Sequence, residues 1–470
     1  MPLEPALRAA LATACGGVPP LEDAEAVTRY AVDERALYRG RPAAVVRPAG
    51  TAEVAEVVRA CRAQGVGVVP QGGNTGYCGG ATADASGQQV VLSLERLDRI
   101  REVDPLAATM TVEAGLPLAA AQQAAAAQGL LFPLAMGSQE SCQVGGNLAT
   151  NAGGLAVLRY GNARELTLGL EVVLPDGRVL DALRGLRKDN TGYDLKQLFI
   201  GAEGTLGIIT AATLRLFPPN PHAVTAFAAV PDLASACALL PRLRALVGDS
   251  VTSFEYLEHD ALALVMQAFP ELRVPFDGDH HHYVLIELGA ANSATRAGHE
   301  EALAGLAGDS TLGDAVIAQD ERQRRALWTL RERVPAAERH LGGSVKHDVS
   351  VRQGRVPQLV AEVREAILAR WPRARFSIYG HLGDGNVHCN VLAPAGEDAA
   401  AFRTRHAAAI SDRVHATAVA LGGSFSAEHG IGQLKRDLLA RYTDPVALDL
   451  MRALKRALDP EGLMNPGKLL

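Results

Sequence analysis

The sequence predicts an α+β protein, rich in α/β units and built as two lobes, and three observations carry that reading. First, 470 residues are too many for one ordinary core, because single cores stop growing beyond roughly 250–300 residues. Second, the first half alternates short β-branched runs with segments of helical period, the pattern of α/β units. Third, the second half, beyond a proline-rich joint, interleaves strand-like runs with long Ala- and Arg-rich helices, as an antiparallel sheet covered by helices would. With 48% hydrophobic and 21% charged residues, the chain is that of a globular protein able to bury a large core.

Residues 4–15 read as a short helix. From 43 to 69 the order is strand (AAVVRP), a helix opened by Thr51 as N-cap (AEVAEVVRACRAQG), and strand (VGVVP). Further strands are expected at 90–94, 109–112, 168–174 and 207–216, with helices between several of them. The segment FPPNPHAV can continue neither a helix nor a central strand, so the division falls there, giving lobes 1–217 and 218–470. In the second lobe AVTAFAAV, YVLIEL, RFSIYG and VHCNVLA read as strands, and ASACALLPRLRALV and PQLVAEVREAILARW as helices. The final MRALKRALDPEGLMNPGKLL reads as a helix stopped at Asp459-Pro460, then a tail that packs back onto the body.

A net charge of -6 without a dense Lys/Arg stripe gives nucleic-acid binding little support, so a small-molecule partner is expected. The 6 cysteines lie apart with no CxxC pair, which excludes a disulfide framework or cysteine zinc site and fits a cytoplasmic protein. The N-terminus lacks a secretory leader's positive cluster and long apolar core. The most apolar stretch, 116–136, is broken by Gln122, Gln123, Gln128, Gly129 and Pro133, so no membrane span is expected.

Glycine and small polar residues concentrate at 70–80 (PQGGNTGYCGG), 137–154 (GSQESCQVGGNLATNAGG) and 201–207 (GAEGTLG). Isolated Gly-Gly pairs are usually tight turns, but three such loops rich in Asn, Thr or Ser can aim several N–H groups at a diphosphate. None is a G-x-G-x-x-G fingerprint after a strand, and no G-x-x-x-x-G-K-[ST] occurs, which removes the common NAD and NTP motifs.

The segment FSIYGHLGDGNVHCNVL sets His381 and His388 on either side of a strong hairpin turn, with Asn390 on the same face as His388. Further on, Glu428 and His429 supply a carboxylate and an imidazole. Two His and a Glu match an open three-ligand site for a catalytic divalent metal, with zinc leading and manganese or iron as alternatives. Read alone, two such histidines are more often satisfied core residues beside a turn. Residues 280–282, a His triple before YVLIEL, read as surface loop.

The glycine-rich runs, with KDNTGYDL at 188–195 and FIGAEGTLGII at 199–209, resemble the FAD-binding domain of the vanillyl-alcohol oxidase/PCMH superfamily. The likeness extends over nearly the whole chain, nearest to the D-2-hydroxyglutarate and D-lactate dehydrogenase branch. It implies a PCMH-type two-subdomain FAD-binding domain followed by a substrate- and metal-binding C-terminal domain. FAD would be noncovalent, since 71–80 holds no histidine for the link that some members make. Gly72, Gly73, Asn74, Thr75, Gly76 and Gly80 would hold the pyrophosphate. Gly137, Ser138, Gly145, Gly146, Asn147, Thr150, Asn151 and Gly154 would line the flavin and ribityl chain. Glu203, Gly204 and Ile209 would lie near the adenosine part, and Pro70, Pro133 and Asn465 would complete the cofactor contacts.

GHxGDGNxHxN and EHGIG resemble the branch's metal and catalytic motifs, implying His381, His388 and Glu428 as ligands and His429 as base. A 2-hydroxy acid chelating the metal would have its hydroxyl acidified as metal-bound water is. His429, with an ordinary pKa of about 6.5, would take that proton while the C2 hydride passes to flavin N5. Asn390 would stand on the substrate side. Arg331 and Lys346, each alone more often a solvated charge, match positions that grip a distal carboxylate in the hydroxyglutarate enzymes. The branch's threonine four residues after Arg331 is Pro335 here, which removes a hydroxyl donor and tells against a five-carbon diacid.

The implied reaction is oxidation of a D-2-hydroxy acid, of D-2-hydroxyglutarate, D-lactate or D-malate type, to the 2-oxo acid. Electrons would leave to an electron-transfer flavoprotein or a quinone, and a homodimer is one expected assembly. The alternatives are a glycolate-oxidase-type flavin subunit, an oxygen-using oxidase of the same fold, and a flavin- or metal-binding module without turnover.

Overall fold

A computed structural model describes residues 3–278, 280–307 and 312–470. The chain forms two compact units: Met1–Gly153, Gly161–Pro219 and Glu428–Leu470 make the first, and Gly154–Tyr160 with Asn220–Ala427 the second.

In the first unit, the β-branched runs become β1 (Ala44–Val46), β2 (Gly67–Gln71) and β3 (Gln89–Ser93), a parallel sheet in the order β1-β3-β2. The helix Thr51–Ala63 makes the crossover from β1 to β2 and buries Val54, Val57, Val58 and Cys61, as a parallel connection requires. Thr51 is the first helical residue rather than the cap, which is Gly50; its hydroxyl is drawn instead to Glu171 Oε1, 2.5 Å away. A second, antiparallel sheet joins β4 (Ile100–Asp104), β5 (Thr109–Glu113), β6 (Thr167–Val173), β7 (Val179–Ala182) and β8 (Ile208–Arg215) in the order β4-β5-β8-β6-β7. The C-terminal segment returns to β2, where Val68 N donates to Leu463 O at 2.8 Å and Asn465 N to Val68 O at 2.7 Å.

The second unit is built on a seven-stranded antiparallel sheet: β9 (Val224–Val230), β10 (Val251–Glu258), β11 (His282–Leu288), β12 (Ala315–Ile317), β13 (Val349–Ser350), β14 (Arg375–His381) and β15 (Asn386–Leu392). Their order is β12-β9-β11-β10-β14-β15-β13. The helices Leu233–Val247 and Val356–Leu368 bury their apolar stripes (Leu239, Leu243, Leu359, Val363) in one core with Phe254, Tyr256, Ile286 and Phe376. Strand β10 was not expected from sequence, because Thr252, Ser253 and Glu255 interrupt its apolar run, yet it lies inside the sheet between β11 and β14. His282 likewise begins β11 and shares a 2.6 Å hydrogen bond with Tyr256 Oη, so the histidine triple is only partly loop.

The hairpin joining β14 to β15 turns at Gly385, whose φ is +80° and whose missing Cβ would meet Val351 O at 2.0 Å. A glycine is required there on both counts. No helix of the described residues is long and apolar enough to cross a membrane.

Candidate active site

A cavity opens in the first unit where the three glycine-rich loops meet. Its wall includes Pro70, residues 72–76, Gly80, Gly145, Gly146, Asn147, Thr150, Glu203, Gly204, Ile209 and His429, all picked from sequence, together with Gln71, Gln143 and Phe199, which were not. Asn74 takes the left-handed conformation (φ +54°) and donates through Nδ2 to Val32 O at 2.8 Å, which pins the first loop. Asn465, also left-handed, ties two loops together by donating to Glu203 O at 2.7 Å and Gly80 O at 3.0 Å. Asn151 accepts from Arg164 N at 3.0 Å, behind the wall. Pro133, Gly137 and Ser138 do not line the cavity, and Gly154 belongs to the second unit.

Two observations fit this cavity to a flavin dinucleotide. A Cβ built on Gly76 or Gly146 would meet no protein atom within 4 Å, so packing does not demand glycine there, whereas close approach of a ligand would. In addition, Gln143 Oε1 is buried without a hydrogen-bond partner, an acceptor that a ligand N–H or O–H would satisfy. Gly146 sits inside the helix Val144–Ala149. Gly146→Ala is therefore expected to leave the apoprotein as stable or up to about 1 kcal/mol more stable by helix propensity. The same methyl, intruding on the ligand, should weaken flavin retention about tenfold or more. Melting of the apoprotein and flavin absorbance of the purified protein check the two effects.

His429 reaches the wall of this cavity from a turn fastened to the glycine-rich loops. Glu203 accepts from Ile431 N and Gly432 N, each at 2.7 Å, and Gln433 N donates to Cys78 O at 2.8 Å. Burial pushes the Glu203 carboxyl above its ordinary range, against the two N–H donors and Lys435. The imidazole of His429 packs on Tyr77 with ring centroids 4.9 Å apart. Glu203→Ala would strand two N–H groups and is expected to cost about 1–3 kcal/mol. Glu203→Gln, keeping one acceptor, should melt between that variant and the wild type.

In the second unit the β14–β15 hairpin brings His381 and His388 together, ring centroids 5.8 Å apart and tilted by 78°. His381 Nδ1 lies 2.8 Å from Glu255 Oε1, and Glu255 Oε2 accepts from Arg331 Nε at 2.8 Å. Burial would raise the Glu255 carboxyl, but the charges of His381 and Arg331 and their hydrogen bonds hold it below the ordinary range. An ionised Glu255 can only accept, so Nδ1 is the donor, and Nε2 is the nitrogen of the ring that could ligate a cation. A carboxylate behind the non-ligating nitrogen is the usual support of a metal-binding imidazole, and two imidazoles suit zinc. The second unit's chain leaves beside this hairpin: Ser350 in β13 bridges Ser424, and Ala427 N donates to Asp348 O at 3.3 Å. Glu428 is the next residue along.

Arg331 and Lys346 are both paired within the second unit. Arg331 is buried, bound to Glu255, with its guanidinium 4.7 Å from the Tyr379 ring centroid. Lys346 Nζ lies 2.5 Å from Glu338 Oε2, which also accepts from Ser344 Oγ at 2.8 Å. Asn390 donates to Glu338 Oε1 at 2.8 Å and accepts from His347 N at 2.9 Å. Pro335 occupies the first turn of the helix Val334–His340, where proline's fixed φ suits a helix start. Glu255, Glu338 and Gln143 were not found by sequence reasoning. The one signal for Glu255 was a carboxylate inside the run VTSFEYLE, where a buried charge needs a partner.

The glycine-lined cavity and the sheet architecture fit a flavin-dependent oxidoreductase of the PCMH fold, and the family matches show that class. Residues 219–469 match the family of FAD linked oxidases, C-terminal domain, and residues 42–183 match the FAD binding domain family. The chain belongs to the FAD-linked oxidase family. The mitochondrial D-2-hydroxyglutarate dehydrogenase of Bos taurus is 41% identical over 462 residues, covering 96% of this chain and 81% of that protein. D-2-hydroxyglutarate dehydrogenase of Xanthomonas citri pv. viticola is 39% identical, covering 94% of this chain and 92% of that one. Among solved structures, p-cresol methylhydroxylase with bound substrate aligns at a TM-score of 0.78 with 18% identity, covering 98% of this chain and 96% of that one. Alkyldihydroxyacetonephosphate synthase aligns at 0.76 with 16% identity, over 99% and 86%. Those two likenesses speak for the fold alone.

Proposed function

We propose that the protein is a FAD- and metal-dependent dehydrogenase that oxidises the C2 alcohol of a D-2-hydroxy acid to the 2-oxo acid. The observation that carries this reading is the buried carboxylate behind His381 in a hairpin that pairs two imidazoles, an arrangement with chemical use if a cation is held there. The names of the relatives, all acting on a D-2-hydroxy acid, support the substrate class.

In this reading the first unit holds FAD in its glycine-lined cavity, noncovalently, and presents His429. His381 and His388, with Glu428, hold a divalent cation, zinc by donor type. Bound FAD supplies the two-electron acceptor, and the bound cation supplies Lewis acidity toward the substrate hydroxyl. His429 takes the hydroxyl proton on a ring nitrogen, and the turn fastened by Glu203 keeps that ring in place. Glu255 orients His381 and is a positioning residue. Electrons leave to an electron-transfer flavoprotein or a quinone, and the mostly buried cysteines, none of them in a disulfide, suit a reducing compartment such as the cytoplasm.

The test is stereochemical. Anaerobic addition of the D-isomer of a 2-hydroxy acid is expected to bleach the flavin with formation of the 2-oxo acid, while the L-isomer leaves the spectrum unchanged. Bleaching by the L-isomer alone would overturn the substrate assignment.

A further inference from the structure

We propose that Glu338 sets the substrate class within the D-2-hydroxy acids, turning the site away from dicarboxylates and toward monocarboxylates with a neutral side chain. The inference rests on the functional reading above and narrows it. Arg331 and Lys346, the two cations that the resemblance implies for a second substrate carboxylate, are each already matched by a carboxylate of the chain itself. Arg331 is matched by Glu255, which is 1% exposed, and Lys346 by Glu338, which is 0% exposed. The formal charge of these four side chains sums to zero, so a second substrate carboxylate would leave one uncompensated negative charge among them.

Glu338 is built in rather than swung in. Its Oε1 accepts from Asn390 Nδ2, and its Oε2 from Ser344 Oγ and Lys346 Nζ. A carboxylate with three donors in a buried setting has no reason to release its lysine. Ser344 and Lys346 both follow the helix that carries Glu338, and Asn390 comes from β15, so the Glu338 carboxylate is held from both sides. Pro335, in the first turn of that same helix, offers no donor to a distal carboxylate. A substrate with a methyl or ethyl side chain needs no such partner. Desolvating a second carboxylate without one is costly.

The experiment compares kcat/KM of the wild-type holoenzyme for D-lactate and D-2-hydroxybutyrate with that for D-malate and D-2-hydroxyglutarate, then repeats it for Glu338→Gln and Glu338→Leu. Each substitution leaves Lys346 uncompensated. The wild type is expected to favour the monoacids at least tenfold, and the diacid-to-monoacid ratio to rise at least tenfold in either variant. Flavin content and melting of each variant show whether it folds, and the wild-type comparison needs no variant. A wild type that favours diacids, or a ratio that folded variants leave unmoved, overturns the role of Glu338. If neither acid class bleaches the flavin of the wild type, the functional reading itself fails. The expected preference runs against the substrate named for the relatives, which makes the comparison decisive.

Discussion

Replacing His429 with asparagine is expected to lower kcat for a D-2-hydroxy acid by about 10²–10⁴, the usual worth of a positioned general base. The imidazole stands in the wall of the flavin cavity, against Tyr77, on a turn whose N–H groups are gripped by Glu203. Asparagine fills most of the same space and leaves the Ile431 and Gly432 N–H groups with their acceptor, so the cavity should keep its shape. The loss should therefore fall on kcat rather than on flavin content, and stopped-flow reduction of the bound flavin separates the two. If reduction by substrate proceeds at the wild-type rate in His429→Asn, the proton is taken elsewhere.

The second large effect is expected at the imidazole pair. His388→Ala would remove one of the two nitrogen donors of the proposed cation site, so purified protein is expected to carry less metal than the wild type. The Lewis-acid contribution is worth several kcal/mol, so kcat/KM should fall by roughly 10³. Glu255→Gln should give a smaller loss of about 10–100-fold, because it leaves both donors in place and only loosens the support of His381. A graded result of this kind is not expected of two core histidines flanking a turn. There His388→Ala would lower stability and leave the metal content of the wild type, if any, untouched. Metal analysis of the three proteins, beside their melting temperatures, draws that distinction.

What could be read from the amino-acid order was whatever is decided locally. The β-branched runs around Val45, Val68 and Val91 announce their strands, and the Gly383-Asp384-Gly385-Asn386 turn announces the hairpin that pairs His381 with His388. The glycine-rich loops were legible for the same reason, each glycine being visible without its neighbours in space. Strand β10 was not legible. Its polar residues are tolerable only because distant groups satisfy them: Thr252 bonds to Glu287 O, Ser253 to Leu155 O, and Glu255 to His381 and Arg331. Missing that strand meant missing Glu255. Glu338 was hidden likewise, since its partner Asn390 lies on another element and nothing in VPAAERH marks one glutamate as fully buried.

The central claim is that a cation held by His381, His388 and Glu428 serves the oxidation that reduces the flavin. It is tested most directly by following flavin absorbance anaerobically with one D-2-hydroxy acid in native, chelator-stripped and zinc-restored protein, with metal content measured in each sample. Bleaching lost on stripping and recovered with zinc is the expected result. Bleaching at the native rate in protein shown to be free of metal would contradict it.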